Sequence, residues 1–224
     1  MGKEMKLFFD AIIKLIVGFI FISLMLFLPA GEIHSNGVLL LTLLFLPMTV
    51  LGIILFIKAP ELLKRRLDTK EKESTQKRVV SLSAILFITL FIVAGFDRRF
   101  SWSSVPTIAV IIASLIFLLS YLLYAEVMRE NAYLSRTVKV EQGQVLVDSG
   151  LYAVVRHPMY SVTLFLFFSI PIILGSWWAL LAFSPYLPLI ITRILNEEKV
   201  LEKELDGYTE YKKRVKYRLI PFIW

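Results

Sequence analysis

Residues 105–125 read VPTIAVIIASLIFLLSYLLYA, a run of 21 residues without a charged side chain. A helix of about 20 apolar residues is long enough to cross the hydrocarbon core of a bilayer. Three further uncharged runs, at 15–31, 37–57 and 79–96, have comparable lengths. The chain is 57% hydrophobic and 19% charged, whereas soluble domains are roughly 45–50% apolar and about 25% charged. The sequence therefore predicts an all-α, polytopic membrane protein.

A fifth apolar block, Met159–Thr192, is too long for one crossing and slightly short for two. Glycine at 175 and tryptophan at 177 and 178 interrupt it near the middle, and tryptophan prefers the membrane interface. The block is therefore predicted to be a helical hairpin that turns at Leu174–Ser176. This gives five to six transmembrane helices, followed by a cytosolic C-terminal helix predicted over Arg193–Leu219.

The basic residues predict the topology. Of the 25 lysines and arginines, eight lie in 58–78, four in 127–158, eight in 193–224 and three in the first 14 residues. Because cytoplasmic loops are rich in these residues, six crossings would place both termini in the cytoplasm of a prokaryotic cell. The net charge of +7 then suits anionic membrane lipids as partners, and nothing suggests nucleic acid.

The composition also excludes several chemistries. The chain has no cysteine, which rules out disulfides and thiolate catalysis. With only His34 and His157 present, no metal site is predicted.

Polar residues gather on both sides of the predicted hairpin. The run Gly150-Leu-Tyr-Ala-Val-Val-Arg-His-Pro-Met-Tyr160 precedes it, and Arg193-Ile-Leu-Asn-Glu-Glu198 follows it. Such groups are costly at the edge of a bilayer and point to a ligand or a reaction. We therefore predict a site at a membrane–water boundary.

Glu198 interrupts an apolar line on the predicted C-terminal helix. It lies four residues after Ile194 and three before Leu201, and the line continues through Leu205 and Tyr208. A carboxylate on a buried stripe needs a partner. Glu197 lies on a neighbouring face one turn after Arg193, where an ion pair is easy. A solvated helix start remains the alternative for both glutamates.

Three other polar segments allow more than one interpretation. Residues 58–78 form either an amphipathic helix and connector on the membrane surface or a lid near the site. Residues 138–150 form either an extended segment that presents backbone groups to a ligand or a local hairpin. Asp97 is predicted to pair locally with Arg98 and Arg99.

The pattern Gly150-x-Tyr152-x-x-x-Arg156-His157-Pro158-x-Tyr160, then Arg193-x-x-x-Glu197-Glu198-x-x-Leu201, then Tyr208-x-x-Tyr211, resembles the isoprenylcysteine carboxyl methyltransferase family, in particular its prokaryotic branch. The resemblance implies a membrane enzyme that uses S-adenosyl-L-methionine without a Rossmann domain. The absence of GxGxxG after a strand agrees with this. Ser161-Val162 departs from the pattern, because relatives often carry a glycine there.

The resemblance also implies roles for individual residues. The cofactor-binding residues would be Gln144, Val145, Leu146, Val147, Tyr152, Arg156, His157, Tyr160 and Glu198. The catalytic residues would be Arg193, which would face the acceptor, together with Glu197 and His157. A lipophilic or lipid-modified substrate would enter from the bilayer.

The acceptor group and the reaction class stay open at this point. A carboxylate acceptor needs no general base, whereas an amine or a hydroxyl requires one. A phospholipid amine methyltransferase, a sterol-reductase-like enzyme that uses NADPH, and a transporter or scaffold are the alternatives. The chain is interpreted as one domain, with N-terminal helices and the basic linker in 1–104 and the catalytic core in 105–224.

Overall fold

A computed structural model describes residues 2–68, 71, 73–138, 140 and 143–224. Within these residues the chain forms helices and no strand. The α-helices are α1 (Lys3–Ala30), α2 (Ser35–Lys58), α3 (Pro60–Leu67), α4 (Ser74–Phe100), α5 (Thr107–Glu130), α6 (Pro158–Ile173), α7 (Trp177–Phe183), α8 (Tyr186–Glu204) and α9 (Tyr208–Arg214). A short 3₁₀ turn, Gly150–Ala153, precedes α6.

The polytopic helical architecture is confirmed. Five segments are long and apolar enough to cross a membrane, and they are Glu4–Ala30, Ser35–Lys58, Ser74–Phe100, Thr107–Glu130 and Trp177–Glu204. α6 has 16 residues and is shorter than these spans. At 1.5 Å per residue α6 is about 24 Å long, compared with about 30 Å for a hydrocarbon core. It forms the first arm of the hairpin.

The hairpin turns where the sequence predicts. α6 ends at Ile173, Gly175 adopts a left-handed φ of 82°, and the Ser176 side chain accepts a hydrogen bond from Ala179 N to begin α7. The second arm is interrupted between Phe183 and Tyr186 and then continues as α8. This arrangement returns α8 to the same end of the molecule at which α6 begins.

α4 is the central helix of the bundle. It packs against α1, α7 and α8, while α5 packs against α6. The core between them contains fully buried side chains such as Leu90, Phe117 and Phe183. α1 and α2, by contrast, expose many large apolar side chains, as helices that face lipid do.

The prediction for Asp97 is wrong. Its carboxylate accepts hydrogen bonds from Ser103 N (2.7 Å), from Ser103 Oγ (2.6 Å) and from Ser176 Oγ. Arg98 instead pairs with Glu32 at 2.8 Å. Asp97 is buried, and its bond to Ser176 joins the end of α4 to the α6–α7 hairpin, while the Arg98 side chain is directed to Glu32.

The single C-terminal helix predicted over Arg193–Leu219 is also wrong. α8 already contains Arg193 and ends at Glu204, and the chain then reverses at Gly207, which has a φ of 79°. The reversal lets Leu205, Tyr208 and Tyr211 pack together with Val215 as a separate apolar cluster. Residues 215–224 follow as an irregular tail that returns toward α6.

The basic linker contains the predicted amphipathic helix, with Pro60 at its first turn. Its apolar residues Leu62 and Leu63 are buried in the protein, and Leu62 packs with Val127 and Met128 of α5. The apolar side of this helix therefore covers the α5 end of the bundle. Residues 69, 70 and 72 of this linker lie outside the described residues.

Candidate active site

A cavity of about 400 Å³ lies between the first turns of α4 and α6, the length of α8 and the loops that cover them. Its two halves differ in chemistry. One half is lined by apolar side chains, including Val79, Val80, Ala84, Phe87, Phe167 and Ile190. The other half is lined by Tyr152, Arg156, His157, Tyr160, Arg193 and Glu197. The cavity can therefore accommodate a molecule with one polar and one apolar end.

The Arg156-His157-Pro158 turn is held by the C-terminal tail. Arg156 N donates to Tyr217 O and His157 N donates to Arg218 O, both at 2.9 Å. Pro158 occupies the first turn of α6, where a missing N–H costs nothing. The two chain segments thus run side by side and fix the direction of the Arg156 and His157 side chains.

Glu198 is the centre of a buried ionic cluster. It is 3% exposed, and its Oε1 accepts from Arg156 Nε at 2.7 Å and lies 3.4 Å from His157 Nε2. Its Oε2 accepts from Arg218 Nε at 3.0 Å. The predicted burial of Glu198 on the apolar line is confirmed. Its partners come from the turn that precedes α6 and from the tail.

Glu197 faces a different direction from its neighbour because successive helical residues point about 100° apart. It lines the cavity and accepts a hydrogen bond from the Tyr160 hydroxyl. The same hydroxyl accepts from Arg193 Nε at 2.8 Å, and Arg193 Nη2 donates to Arg136 O at 2.6 Å. Tyr160 therefore stands between Glu197 and Arg193, where the sequence predicts a direct ion pair.

Tyr152 is fixed by the turn that precedes α6. Its hydroxyl accepts from Asn131 Nδ2 at 3.0 Å, and its carbonyl accepts from Tyr211 OH at 2.7 Å. Burial raises the pKa of the Tyr152 phenol, so it stays neutral. Both Asn131 and Tyr211 also line the cavity.

Ser161 and Val162, which stand where relatives often carry a glycine, both contribute to the packing of α6. Ser161 Oγ donates to Leu219 O at 2.6 Å, and Val162 is buried against Met159 and Tyr152. Both residues tie α6 to its surroundings. The larger side chains are therefore accommodated in the packing of the hairpin.

The structure brings the predicted site residues together. Ten of them line the cavity, namely Gln144, Val145, Leu146, Val147, Tyr152, Arg156, His157, Tyr160, Arg193 and Glu197. Glu198 lies directly behind this wall, bonded to Arg156 and His157. Gln144–Val147 is non-helical as expected, while residues 139, 141 and 142 of the same predicted segment lie outside the described residues.

Several residues that line the cavity are not predicted from the sequence. Tyr208 and Tyr211 belong to a quoted motif, yet their spacing alone did not show that they face a cavity. Arg66 is one of eight basic residues in the linker, and the lining residues between Val79 and Phe87 belong to a long uncharged span, so their sequence context does not distinguish them. The linker also bonds to α8 itself, since Gln76 Nε2 donates to Arg193 O at 3.2 Å and Asn196 Nδ2 to a Glu73 oxygen at 3.1 Å.

The fold and the cavity together define a polytopic membrane protein with an amphipathic site at one end of its bundle. A family model described as phospholipid methyltransferase matches residues 108–206, which contain α5 to α8 and most of the cavity wall. The chain is similar to this family over 99 of its 224 residues. No curated protein matches the chain.

This similarity supports a methyltransferase that works in a membrane. Such an enzyme implies a methyl donor of the S-adenosylmethionine type. The matching family is related to the isoprenylcysteine family without being that branch, so the narrower resemblance stays a prediction.

Proposed function

We propose that this protein transfers a methyl group from S-adenosyl-L-methionine to a carboxylate of a lipophilic molecule that enters from the bilayer. The observation that carries the proposal is the cavity itself, whose apolar half lies between membrane-spanning helices and whose polar half holds Arg193 and Glu197. An acceptor with an apolar tail could reach the polar half without leaving the membrane.

The polar half suits the proposed cofactor. Glu197 offers a carboxylate for an amino group, and the non-helical Gln144–Val147 segment borders the same space. The Tyr208 hydroxyl is buried with no hydrogen-bond partner among the described residues. Because a buried polar group is rarely left unpaired, this hydroxyl fits a ligand contact.

The bound cofactor would supply a methyl group on a sulfonium, which is transferred by in-line displacement. The protein would then mainly have to orient the acceptor and exclude water. Arg193 is held by Tyr160 and by the carbonyl of Arg136, which use two of its five N–H donors. The remaining donors could hold an acceptor carboxylate through two hydrogen bonds.

A second candidate is methylation of a phospholipid amine, which the family similarity favours. An ammonium acceptor must lose a proton before it attacks. Glu197 and His157 are the lining groups that could take that proton. The two candidates share the cofactor and the cavity and differ in the acceptor atom.

The product separates the two candidates. We expect purified protein, given S-adenosylmethionine with a radioactive methyl group, to label N-acetyl-S-farnesylcysteine as an ester that releases methanol in base. Label that survives base in phosphatidylethanolamine would assign amine methylation instead. A folded sample that neither binds the cofactor in calorimetry nor transfers label to either acceptor would contradict both candidates.

Replacing Tyr208 by phenylalanine tests the cofactor contact. Burial, and then Glu198 and Glu197, raise the pKa of the Tyr208 phenol, so it remains a hydrogen-bond donor at neutral pH. We expect Tyr208→Phe to weaken S-adenosylmethionine binding about five- to tenfold, the worth of one hydrogen bond, without lowering the melting temperature.

Tyr211→Phe is the contrasting variant. Its hydroxyl is already paired with Tyr152 O at 2.7 Å, so its loss should lower the melting temperature. Equal affinities of wild type and Tyr208→Phe would show that the hydroxyl does not contact the cofactor.

A further inference from the structure

The apolar half of the cavity has a closed end. One face of each of three helices forms its walls, and on each helix the lining ends at an aromatic ring. These rings belong to Phe87 of α4, Phe167 of α6 and Tyr186 of α8, and we refer to them as the aromatic floor. About one turn beyond the floor, Leu90 of α4 and Ile170 of α6 are buried in the protein core. The cavity therefore does not continue along these helices.

The rings of the aromatic floor pack against one another. The ring centroid of Phe87 lies 4.9 Å from that of Phe167 and 5.6 Å from that of Tyr186. Phe183 is fully buried behind the floor, and its ring centroid lies 4.9 Å from that of Phe87 and 4.8 Å from that of Tyr186. Such distances are favourable for aromatic pairs. Phe87 contacts each of the other three rings, so it holds the floor together.

A single row of α8 side chains connects the aromatic floor to the groups that would hold the acceptor. The row lines the cavity and consists of Tyr186, Ile190, Arg193 and Glu197. Residues spaced three and four apart share one face of a helix. Tyr186 and Arg193 are seven residues apart, and this spacing corresponds to about 10 Å of helix length. A tail that extends along this row from an acceptor group at Arg193 therefore ends at the floor.

We propose that the aromatic floor limits the length of the acceptor's apolar tail and that Phe87 is its specificity-determining residue. This inference rests on the proposed function, because the tail is that of the carboxylate held by Arg193. The whole cavity has a volume of about 400 Å³, part of which the cofactor would fill. The apolar half therefore has little room for a longer tail to fold back, and a tail that reaches the floor can extend further only if Phe87 is removed.

The test compares acceptors that differ only in the tail, namely N-acetyl-S-geranylcysteine, N-acetyl-S-farnesylcysteine and N-acetyl-S-geranylgeranylcysteine. Each is given to the full chain in detergent with labelled S-adenosylmethionine. We expect wild type to have a lower kcat/KM for the geranylgeranyl acceptor than for the farnesyl acceptor. In Phe87→Ala the ratio of the geranylgeranyl value to the farnesyl value should rise about tenfold, because a small gain of apolar contact in a pocket changes specificity by at least that factor.

Phe91→Ala is the matched control. Phe91 lies one turn further along α4 and is buried, but it does not line the cavity. Its loss should leave the geranylgeranyl-to-farnesyl ratio unchanged. Ala84→Phe adds a ring to the cavity wall one turn nearer the polar half, so it should lower the same ratio. If Phe87→Ala does not fold, Phe87→Leu and Ala84→Phe carry the comparison.

Native mass spectrometry of the three acceptors bound to the protein distinguishes the possible failures, because it does not require methyl transfer. Methyl transfer with the same length ratio in wild type, Phe87→Ala and Ala84→Phe would overturn the floor and keep the proposed function, since the tail would then leave the cavity between α4 and α6. Length-dependent binding that Phe87→Ala relaxes, without methyl transfer, would reject carboxylate methylation and keep the floor. Acceptors that neither bind nor react would reject both.

Discussion

Replacing Glu198 by alanine is expected to abolish methyl transfer and to lower the free energy of unfolding by roughly 3–5 kcal/mol, the usual cost of breaking a buried ion pair. The carboxylate accepts from Arg156 at 2.7 Å and from Arg218 at 3.0 Å. Without it, the 5% exposed Arg156 keeps its charge in a buried place. The tail also loses the side-chain contact that fixes Arg218.

Two further variants in α8 serve as comparisons for Glu198→Ala. Glu198→Gln keeps an oxygen for Arg156 but not the charge, so its loss of stability should be intermediate. Glu204→Ala removes an exposed carboxylate from the end of α8 and should change stability by less than about 0.5 kcal/mol. Thermal unfolding in detergent gives the comparison. A Glu198→Ala protein as stable as Glu204→Ala would mean that the ionic cluster does not stabilise the fold.

The sequence predicts that Glu198 is buried, but it does not predict that Arg218 is one of its partners. The line through Ile194 and Leu201 is a local helical pattern, and this pattern is enough to place Glu198 on the buried face of its helix. Arg218 reaches it only because the chain reverses at Gly207 and the tail pairs with Arg156 and His157. A reversal of this kind depends on tertiary packing, which hydropathy does not reveal.

The difference between local sequence patterns and tertiary packing also explains which other predictions are confirmed and which are wrong. Hydropathy predicts the membrane spans and the turn at Leu174–Ser176 because uncharged runs and helix-breaking residues are local features. Asp97 and Arg66 lie next to other charged residues, so local pairing or solvation is the natural expectation for both. Their actual positions follow from how α4 meets the hairpin and how α3 covers α5.

The position of the Arg156-His157-Pro158 turn depends on a glycine six residues earlier. Gly150 has a left-handed φ of 57°, and a β-carbon there would overlap the carboxylate of Glu130. That carboxylate accepts from Leu151 N at 2.9 and 3.1 Å. A side chain at 150 therefore displaces Glu130 and frees the start of the turn that carries Tyr152.

We expect Gly150→Ala to lower the free energy of unfolding by about 3 kcal/mol. This value combines backbone strain of about 1 kcal/mol with the loss of a hydrogen bond to a charged group. Gly143→Ala is the matched control, since Gly143 has a φ of 72° but no atom within 4 Å of the added carbon. Gly143→Ala should lower the free energy of unfolding only by the backbone strain. Cofactor binding should fall in Gly150→Ala alone, because Tyr152 and Arg156 follow the displaced turn.

A double-mutant cycle tests whether the overlap with Glu130 causes the loss of stability in Gly150→Ala. Removing the Glu130 side chain relieves the overlap, so Gly150→Ala combined with Glu130→Ala should cost clearly less than the sum of the two single variants. Additive costs would mean that the strain at 150 acts independently of Glu130. In that case Gly150→Ala and Gly143→Ala would also unfold alike, and the contact between α5 and the turn would have no part in placing the Arg156-His157 pair.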